Sequence, residues 1–147
     1  MSAGRILVLH GPNLNLLGVR EPGVYGTTTL AEIDALLDQE ARARNLTLST
    51  FQSNHEGALI DQLHAARQDA DGVLINPGGL THTSISLRDA VAALPIPVIE
   101  VHLSNLFARE GFRQVDHIAP VCRGVVMGFG PGSYLAALMA LDRLLRA

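Results

Sequence analysis

The 147-residue sequence contains no lysine and no tryptophan, and it has a single cysteine, Cys122. All 11 of its basic residues are arginine, so no side-chain amine can form a Schiff base and no lysine can hold a phosphate in a P-loop. A single cysteine permits neither an internal disulfide nor a cysteine-based metal cluster. Val121 and Val125 stand near Cys122, which predicts a buried and unreactive thiol.

Long apolar runs and clusters of basic residues are missing as well. No segment is long and apolar enough to span a bilayer, and a formal net charge of -3 argues against a nucleic-acid partner held through its phosphates. The chain enters a strand-like run at 5–9 with no leader pattern before it, so we expect a cytoplasmic protein. Its length and its 48% apolar composition predict one globular domain over residues 1–147.

Short apolar runs alternate with longer amphipathic segments along the whole chain. The runs predict strands at 6–9, 46–52, 72–76, 97–102 and 124–127. The amphipathic segments predict helices at 58–68, 83–94 and 134–145, and one that starts in a capping box at 29–32 and ends near Arg44. This alternation predicts an α/β protein with the flavodoxin-like three-layer fold, a five-stranded parallel sheet in the order 2-1-3-4-5 with helices on both faces.

The loops after the first, third and fourth predicted strands are the candidate site. In an open parallel sheet, ligands bind beyond the carboxyl ends of the strands, near the point where the strand order reverses. Those loops span 10–26, 76–84 and 100–105, and they contain the glycine, asparagine, histidine and arginine residues that a binding pocket uses. We therefore expect polar groups from three separate loops to line one pocket.

The first of these loops is about twice as long as a usual strand-to-helix connection. Gly18, Gly23 and Gly26 interrupt it, and Arg20 and Tyr25 lie within it. Long loops with glycine hinges often close over a site as lids. A surface loop with a tyrosine packed against the protein explains the same residues, so both interpretations are open.

The other two loops are also open to two interpretations each. Gly78 and Gly79 precede a predicted helix start, where backbone N–H groups can bind an anion, but a turn and a helix cap would look the same. His82 is either a residue of that cap or a catalytic residue. Glu100 and His102 share one face of a strand, so the carboxylate can orient the imidazole for acid catalysis; an exposed histidine at a strand end is the alternative.

Other functions of this fold are poorly supported. His10, His82 and His102 lie at one predicted sheet edge, but they lack the close spacing of metal ligands, so we expect no metal. The first turn lacks the serines and threonines with which a flavodoxin wraps the phosphate of FMN. A signalling receiver domain needs an acidic pair after its first strand and a lysine after its fifth, whereas this chain has His10 and Asn13 in the first place and no lysine.

The chain resembles the type II 3-dehydroquinate dehydratases in six blocks, in the same order and at the same spacing. The blocks are HGPNLNLLG (10–18), REPGVYG (20–26), FQSNHEG (51–57), NPGGLTHTS (76–84), EVHLSN (100–105) and REGFR (109–113). The similarity continues to GFGPGSYLAAL near the end. It implies a lyase that converts 3-dehydroquinate to 3-dehydroshikimate in the shikimate pathway, by an anti elimination through an enolate and with no cofactor.

The resemblance also implies roles for individual residues. Tyr25 is expected to be the general base with Arg20 as its activator, and His102 the general acid, paired with Glu100. Asn13 is expected to help hold a water that stabilises the enolate. Substrate binding is expected of Asn76, His82, Arg113, the backbone at Leu103 and Ser104, and Asp89 from across a subunit interface. The family pattern further implies a dodecamer built from four trimers.

Elementary acid–base chemistry is compatible with these roles. A phenol titrates near ~10 in water and is a poor base at neutral pH, but a nearby guanidinium favours the phenolate. Arg20 lies on the same loop as Tyr25 and can supply that charge. Two features depart from the family pattern. Phe107 stands where many members have histidine, and segment 115–120 has a sequence that does not resemble the family's. These departures concern the interface and the substrate affinity and not the reaction. The rival interpretation is another lyase of the same fold with a different substrate.

Overall fold

The parallel sheet that the sequence predicts is present, with its strands in the order β2-β1-β3-β4-β5. The computed structural model describes residues 4–147. The strands are β1 (Gly4–His10), β2 (Leu46–Gln52), β3 (Gly72–Asn76), β4 (Val98–His102) and β5 (Gly124–Met127). The helices are α1 (Pro22–Tyr25), α2 (Leu30–Ala43), α3 (Glu56–Asp69), α4 (Ile85–Ala92) and α5 (Gly132–Arg146). The flavodoxin-like strand order is thus confirmed.

Helices cover both faces of the sheet, and a hydrophobic core lies on each side. Helices α2 and α5 pack on one face around Ile33, Leu37 and Leu138. Helices α3 and α4 pack on the other face around Leu63 and Leu87. All residues of β3 and β4 are buried, which explains why these strands are continuous apolar runs. Within residues 4–147, no helix has both the length and the apolar composition that a membrane crossing requires.

Several element boundaries differ from the predicted ones. The predicted helix at 83–94 is shorter, because Ser84 caps α4 by accepting a hydrogen bond from the Leu87 N–H at 2.9 Å. Strand β1 runs to His10 because it pairs with β2 along its whole length. The capping box at the start of α2 is confirmed, since the Thr29 hydroxyl accepts a hydrogen bond from the backbone N–H of Glu32 at 3.2 Å. Cys122 is only partly buried, and burial raises the pKa of its thiol.

The loops after β1 and β3 meet at the carboxyl edge of the sheet. The Gly11 N–H donates a hydrogen bond to the Asn76 carbonyl at 2.8 Å. A Cβ atom at Gly11 would lie 2.5 Å from the Pro77 carbonyl oxygen, so the contact requires glycine there. This close approach joins two of the loops that the sequence analysis selected.

Candidate active site

A cavity of about 310 Å³ lies at the carboxyl edge of the sheet, between the loops that follow β1, β3 and β4. Most of the residues to which the sequence analysis assigns a role line it. They are Asn13, Arg20, Tyr25, Asn76, His82, His102, Leu103, Ser104 and Arg113. The remaining two lie elsewhere. Glu100 is buried behind His102, and Asp89 is exposed on α4 and does not line the cavity.

Tyr25 reaches the cavity from the end of α1, a single helical turn within the first loop. Glu21 enters this turn and Gly26 leaves it with positive φ angles of 41° and 79°, respectively. The guanidinium carbons of Arg20 and Arg109 each lie 5.0 Å from the centroid of the Tyr25 ring. Two cations from different loops therefore contact one phenol ring.

His102 and Glu100 form a buried pair at the end of β4. The His102 Nε2 atom lies 2.8 Å from Glu100 Oε2, which leaves Nδ1 as the other ring nitrogen for a ligand in the cavity. Burial raises the pKa of Glu100 to about 10, and the nearby Asp116 adds to the rise. Burial also lowers the pKa of His102 to about 4, with smaller contributions from His82 and Arg109 and an opposing one from Asp116. Glu100 and His102 are thus joined by one hydrogen bond, and the charges around them decide which of the two groups carries the proton.

Glu100, His102 and Asp116 are the cluster in residues 4–147 whose composition could suit a cation, since their ligand atoms all lie within 4.8 Å of one another. Hydrogen bonds already account for most of these contacts. His102 Nε2 is bound to Glu100, and one oxygen of Asp116 accepts from the N–H groups of Ile118 and Ala119 at 2.9 and 2.8 Å. We therefore assign no metal to this cluster.

A buried chain of hydrogen bonds orients Asn76. The His10 ring is fully buried, with Nε2 2.8 Å from Asp34 Oδ1 and Nδ1 3.0 Å from the Tyr134 hydroxyl. Because the Asp34 carboxylate accepts from Nε2, Nδ1 of a neutral ring must accept the Tyr134 proton. The Tyr134 oxygen in turn accepts from Asn76 Nδ2 at 3.1 Å. His10 thus helps to orient Asn76 through Tyr134. It does not line the cavity as His82 and His102 do, although the sequence places all three at one edge of the sheet.

The other lining residues are held by local contacts. The His82 Nδ1–H donates to the Val115 carbonyl at 2.7 Å, which leaves Nε2 for a ligand, and His82 is not part of the α4 cap. Arg113 is paired with Glu110 at 3.1 Å. Asn13 has a left-handed backbone, with φ of 70°, and its N–H donates to the Asn54 side chain at 2.9 Å. Each of these contacts limits the freedom of a group at the cavity wall.

Three features of the site were not predicted from the sequence. Arg109 lies in a block that was recognised, yet the chain offers no sign that it contacts Tyr25. Tyr134 was placed only at the start of the last predicted helix, because spacing along a helix does not identify a partner for a hydroxyl. Asp116 lies in the individual segment 115–120, outside every recognised block. The composition of the REGFR block, with two arginines beside the site, is the one signal that could have led to Arg109.

The fold and the cavity together define the class of protein. A flavodoxin-like domain has a pocket lined by tyrosine, histidine and arginine at the carboxyl ends of its strands, which is the arrangement of an enzyme that acts on a small molecule. The comparisons with known proteins then identify the family.

The family described as dehydroquinase class II matches residues 4–142. The curated 3-dehydroquinate dehydratase of Ruegeria pomeroyi is 57% identical over 136 residues, which are 92% of this chain and 91% of that protein. The one of Roseiflexus castenholzii is 59% identical over 134 residues, or 91% of this chain and 85% of that protein. The crystal structure of a type II dehydroquinase from Butyrivibrio crossotus has a TM-score of 0.92 and 41% identity, covering 94% of this chain and 97% of the other. The chain therefore belongs to the class II dehydroquinase family and is a lyase of the 3-dehydroquinate dehydratase type.

Proposed function

We propose that the protein dehydrates 3-dehydroquinate to 3-dehydroshikimate by an anti elimination through an enolate, with neither a Schiff base nor a cofactor. The observation that supports this most is that Tyr25, under two arginines, and His102, backed by Glu100, line one cavity. An elimination next to a ketone needs a base for the carbon-bound proton, an acid for the leaving hydroxyl and a group that stabilises the enolate. The cavity offers a candidate for each.

Tyr25 is the proposed base. Its phenolate removes the proton next to the ketone, and Arg20 and Arg109 favour that phenolate because both carry a fixed positive charge beside the ring. Arg109 also donates to the Ser104 hydroxyl at 3.3 Å, so its position is tied to the loop after β4. A lid formed by the loop around α1 would exclude water and strengthen these interactions when substrate is bound.

His102 is the proposed acid, and it protonates the leaving hydroxyl. Its Nε2 is engaged by Glu100, so Nδ1 is the nitrogen that delivers the proton. A bound substrate carboxylate adds negative charge near the ring, which favours the protonated imidazole that this step requires. Glu100 orients the ring and fixes which nitrogen faces the substrate.

Asn13 and the remaining lining residues complete the proposed reaction. Asn13 holds a water against the developing enolate oxygen, while Asn76, His82 and Arg113 and the backbone at Leu103 and Ser104 bind the substrate. An imine mechanism has no residue to support it, since every basic side chain of the sequence is arginine or histidine. We propose that no metal takes part.

We also propose that the active protein is a cytoplasmic dodecamer of four trimers. Asp89 lies exposed on α4 and does not line the cavity of its own subunit. This position is compatible with a role in the site of a neighbouring subunit. The dodecamer follows from the family resemblance, and sedimentation velocity of the purified protein tests it.

The decisive experiment is an assay with 3-dehydroquinate, in which the rise of enone absorbance is followed and the product is identified by mass spectrometry. Deuterium placed only at the hydrogen anti to the leaving hydroxyl should be absent from the product. Retention of that deuterium would contradict an anti elimination, and no product at all would favour a lyase with another substrate. Activity should survive dialysis against a strong chelator; a loss that zinc restores would contradict the metal-free mechanism.

A further inference from the structure

Asp116 is held in one orientation beside the Glu100–His102 pair. Its Oδ1 atom accepts hydrogen bonds from the N–H groups of Ile118 and Ala119 at 2.9 and 2.8 Å. Both of these hydrogen bonds go to Oδ1, and the Asp116 carboxyl group also lies within hydrogen-bonding reach of the Glu100 carboxyl group. Asp116 lies in the segment 115–120, outside the six blocks that carry the family resemblance.

Glu100 has a buried oxygen that needs a partner. The side chain is fully buried, and its Oε1 is one of two buried side-chain polar atoms without a hydrogen-bond partner in residues 4–147. An unsatisfied buried oxygen is costly, and two ionised carboxylates so near each other would repel. Ligand atoms of Glu100, His102 and Asp116 all lie within 4.8 Å of one another. One proton between the two carboxyl groups removes both difficulties at once.

We propose, resting on the dehydratase function above, that Glu100 and Asp116 share one proton in a hydrogen bond from Glu100 Oε1 to Asp116. Asp116 is then a positioning residue that sets the pH range in which His102 acts as the acid. In this arrangement Glu100 donates through Oε1 and still accepts from His102 Nε2 through Oε2. Each oxygen of Glu100 has one partner, and the His102 ring keeps a single orientation.

The directions of the pKa shifts agree with this geometry. Burial and then Asp116 raise the pKa of Glu100. Burial opposes ionisation of Asp116, but hydrogen bonds from Glu100 and from the Ile118 and Ala119 N–H groups outweigh it and lower its pKa. The other titratable or charged groups that act on this set are Arg109 and His82, which disfavour the His102 cation, and Cys122, whose neutral thiol is favoured by burial and by both carboxyl groups.

Asp116→Asn tests the proposal because it keeps the shape of the side chain, removes its charge and replaces the oxygen that accepts from Glu100 with an NH₂ donor. The amide can donate to Glu100 Oε1, so Glu100 should ionise at lower pH. The negative charge of Glu100 is then shared by Oε2, which lies 2.8 Å from His102 Nε2. His102 should therefore stay protonated to higher pH.

The measurements are a titration of ¹³C-labelled glutamate side chains by NMR, with Glu100 assigned through Glu100→Gln, and the pH profile of kcat. In the wild type the Glu100 carboxyl should remain protonated at pH 7. In Asp116→Asn its midpoint should fall, and the alkaline limit of kcat should rise, each by about one pH unit or more. Asp69→Asn, at the exposed end of α3, should change neither quantity.

A Glu100 carboxylate already ionised at pH 7 in the wild type would overturn the proposal, even if the Asp116 variant failed to fold. An unchanged pH profile in a folded Asp116→Asn enzyme would overturn it too. Stoichiometric Zn²⁺ binding that Asp116→Asn abolishes would replace the shared proton with a cation. The NMR titration needs no turnover, so inactivity toward 3-dehydroquinate would count against the proposed function and leave the shared proton to be decided separately.

Discussion

The guanidinium carbon of Arg109 lies 5.0 Å from the centroid of the Tyr25 ring, the same distance as that of Arg20. The two arginines come from different loops, one within the first loop beside α1 and the other after β4. Arg20 moves with the loop that contains Tyr25, whereas Arg109 is tied to Ser104 at the edge of the sheet. Contact with Arg109 therefore links the position of the loop to the charge that Tyr25 experiences.

Arg109→Lys should lower kcat by roughly ten-fold to a hundred-fold, because an ammonium keeps the charge but loses the planar group that lies over the phenol. Steady-state kinetics with 3-dehydroquinate measure the effect. Arg42→Lys is the matched control, since Arg42 is an exposed residue of α2 that pairs with Asp38. A change in Arg109→Lys no larger than in the control would contradict a role for Arg109 beside the base.

His102→Ala should reduce kcat by roughly 10² to 10⁴, the usual contribution of a positioned acid. Glu100→Gln should have a smaller effect, because the amide oxygen can still accept a hydrogen bond from His102 Nε2 although the ionisable carboxyl group is lost. Both kcat and KM should be measured. If His102→Ala raised KM and left kcat unchanged, His102 would be a binding residue and not the acid.

Tyr134→Phe removes only the hydroxyl that accepts from Asn76 and donates to His10. The buried Asn76 amide and His10 Nδ1 then lack a partner, which should destabilise the protein by about 1–3 kcal/mol. KM should rise more than kcat falls, because Asn76 is proposed to bind substrate. A double-mutant cycle with Asn76→Ala should be non-additive, and additive effects on KM would contradict the hydrogen-bonded chain.

Asp89→Asn and Tyr25→Phe should complement each other when their subunits are mixed under conditions that allow exchange. Each variant alone should be impaired, but a hybrid oligomer contains sites with an intact Tyr25 and a neighbour's intact Asp89. Activity of the mixture should therefore exceed the sum of the two variants. Absence of any gain, with subunit exchange verified by mass spectrometry, would restrict Asp89 to its own subunit.

The sheet and its order could be predicted because β3 and β4 are buried on both faces and are therefore continuous apolar runs. Spacing along the chain also predicted that Glu100 and His102 lie together, since residues two positions apart in a strand are on the same face of the sheet. The helical turn α1 was missed, because four residues that include proline and glycine have no helical pattern. Contacts such as Arg109 with Tyr25 or Tyr134 with Asn76 join distant parts of the chain, and only the packing of the loops brings them together.

Tyr25→Phe tests the central claim most directly, because it keeps the ring between the two arginines and removes only the ionisable oxygen. Turnover should be followed by enone absorbance, and binding should be measured separately by calorimetry with the reaction product. The account predicts that binding changes by only a few-fold while kcat falls by roughly 10² to 10⁴ or more. A Tyr25→Phe enzyme with near-normal kcat would contradict the account, and the proton would then have to leave through another group, such as His82.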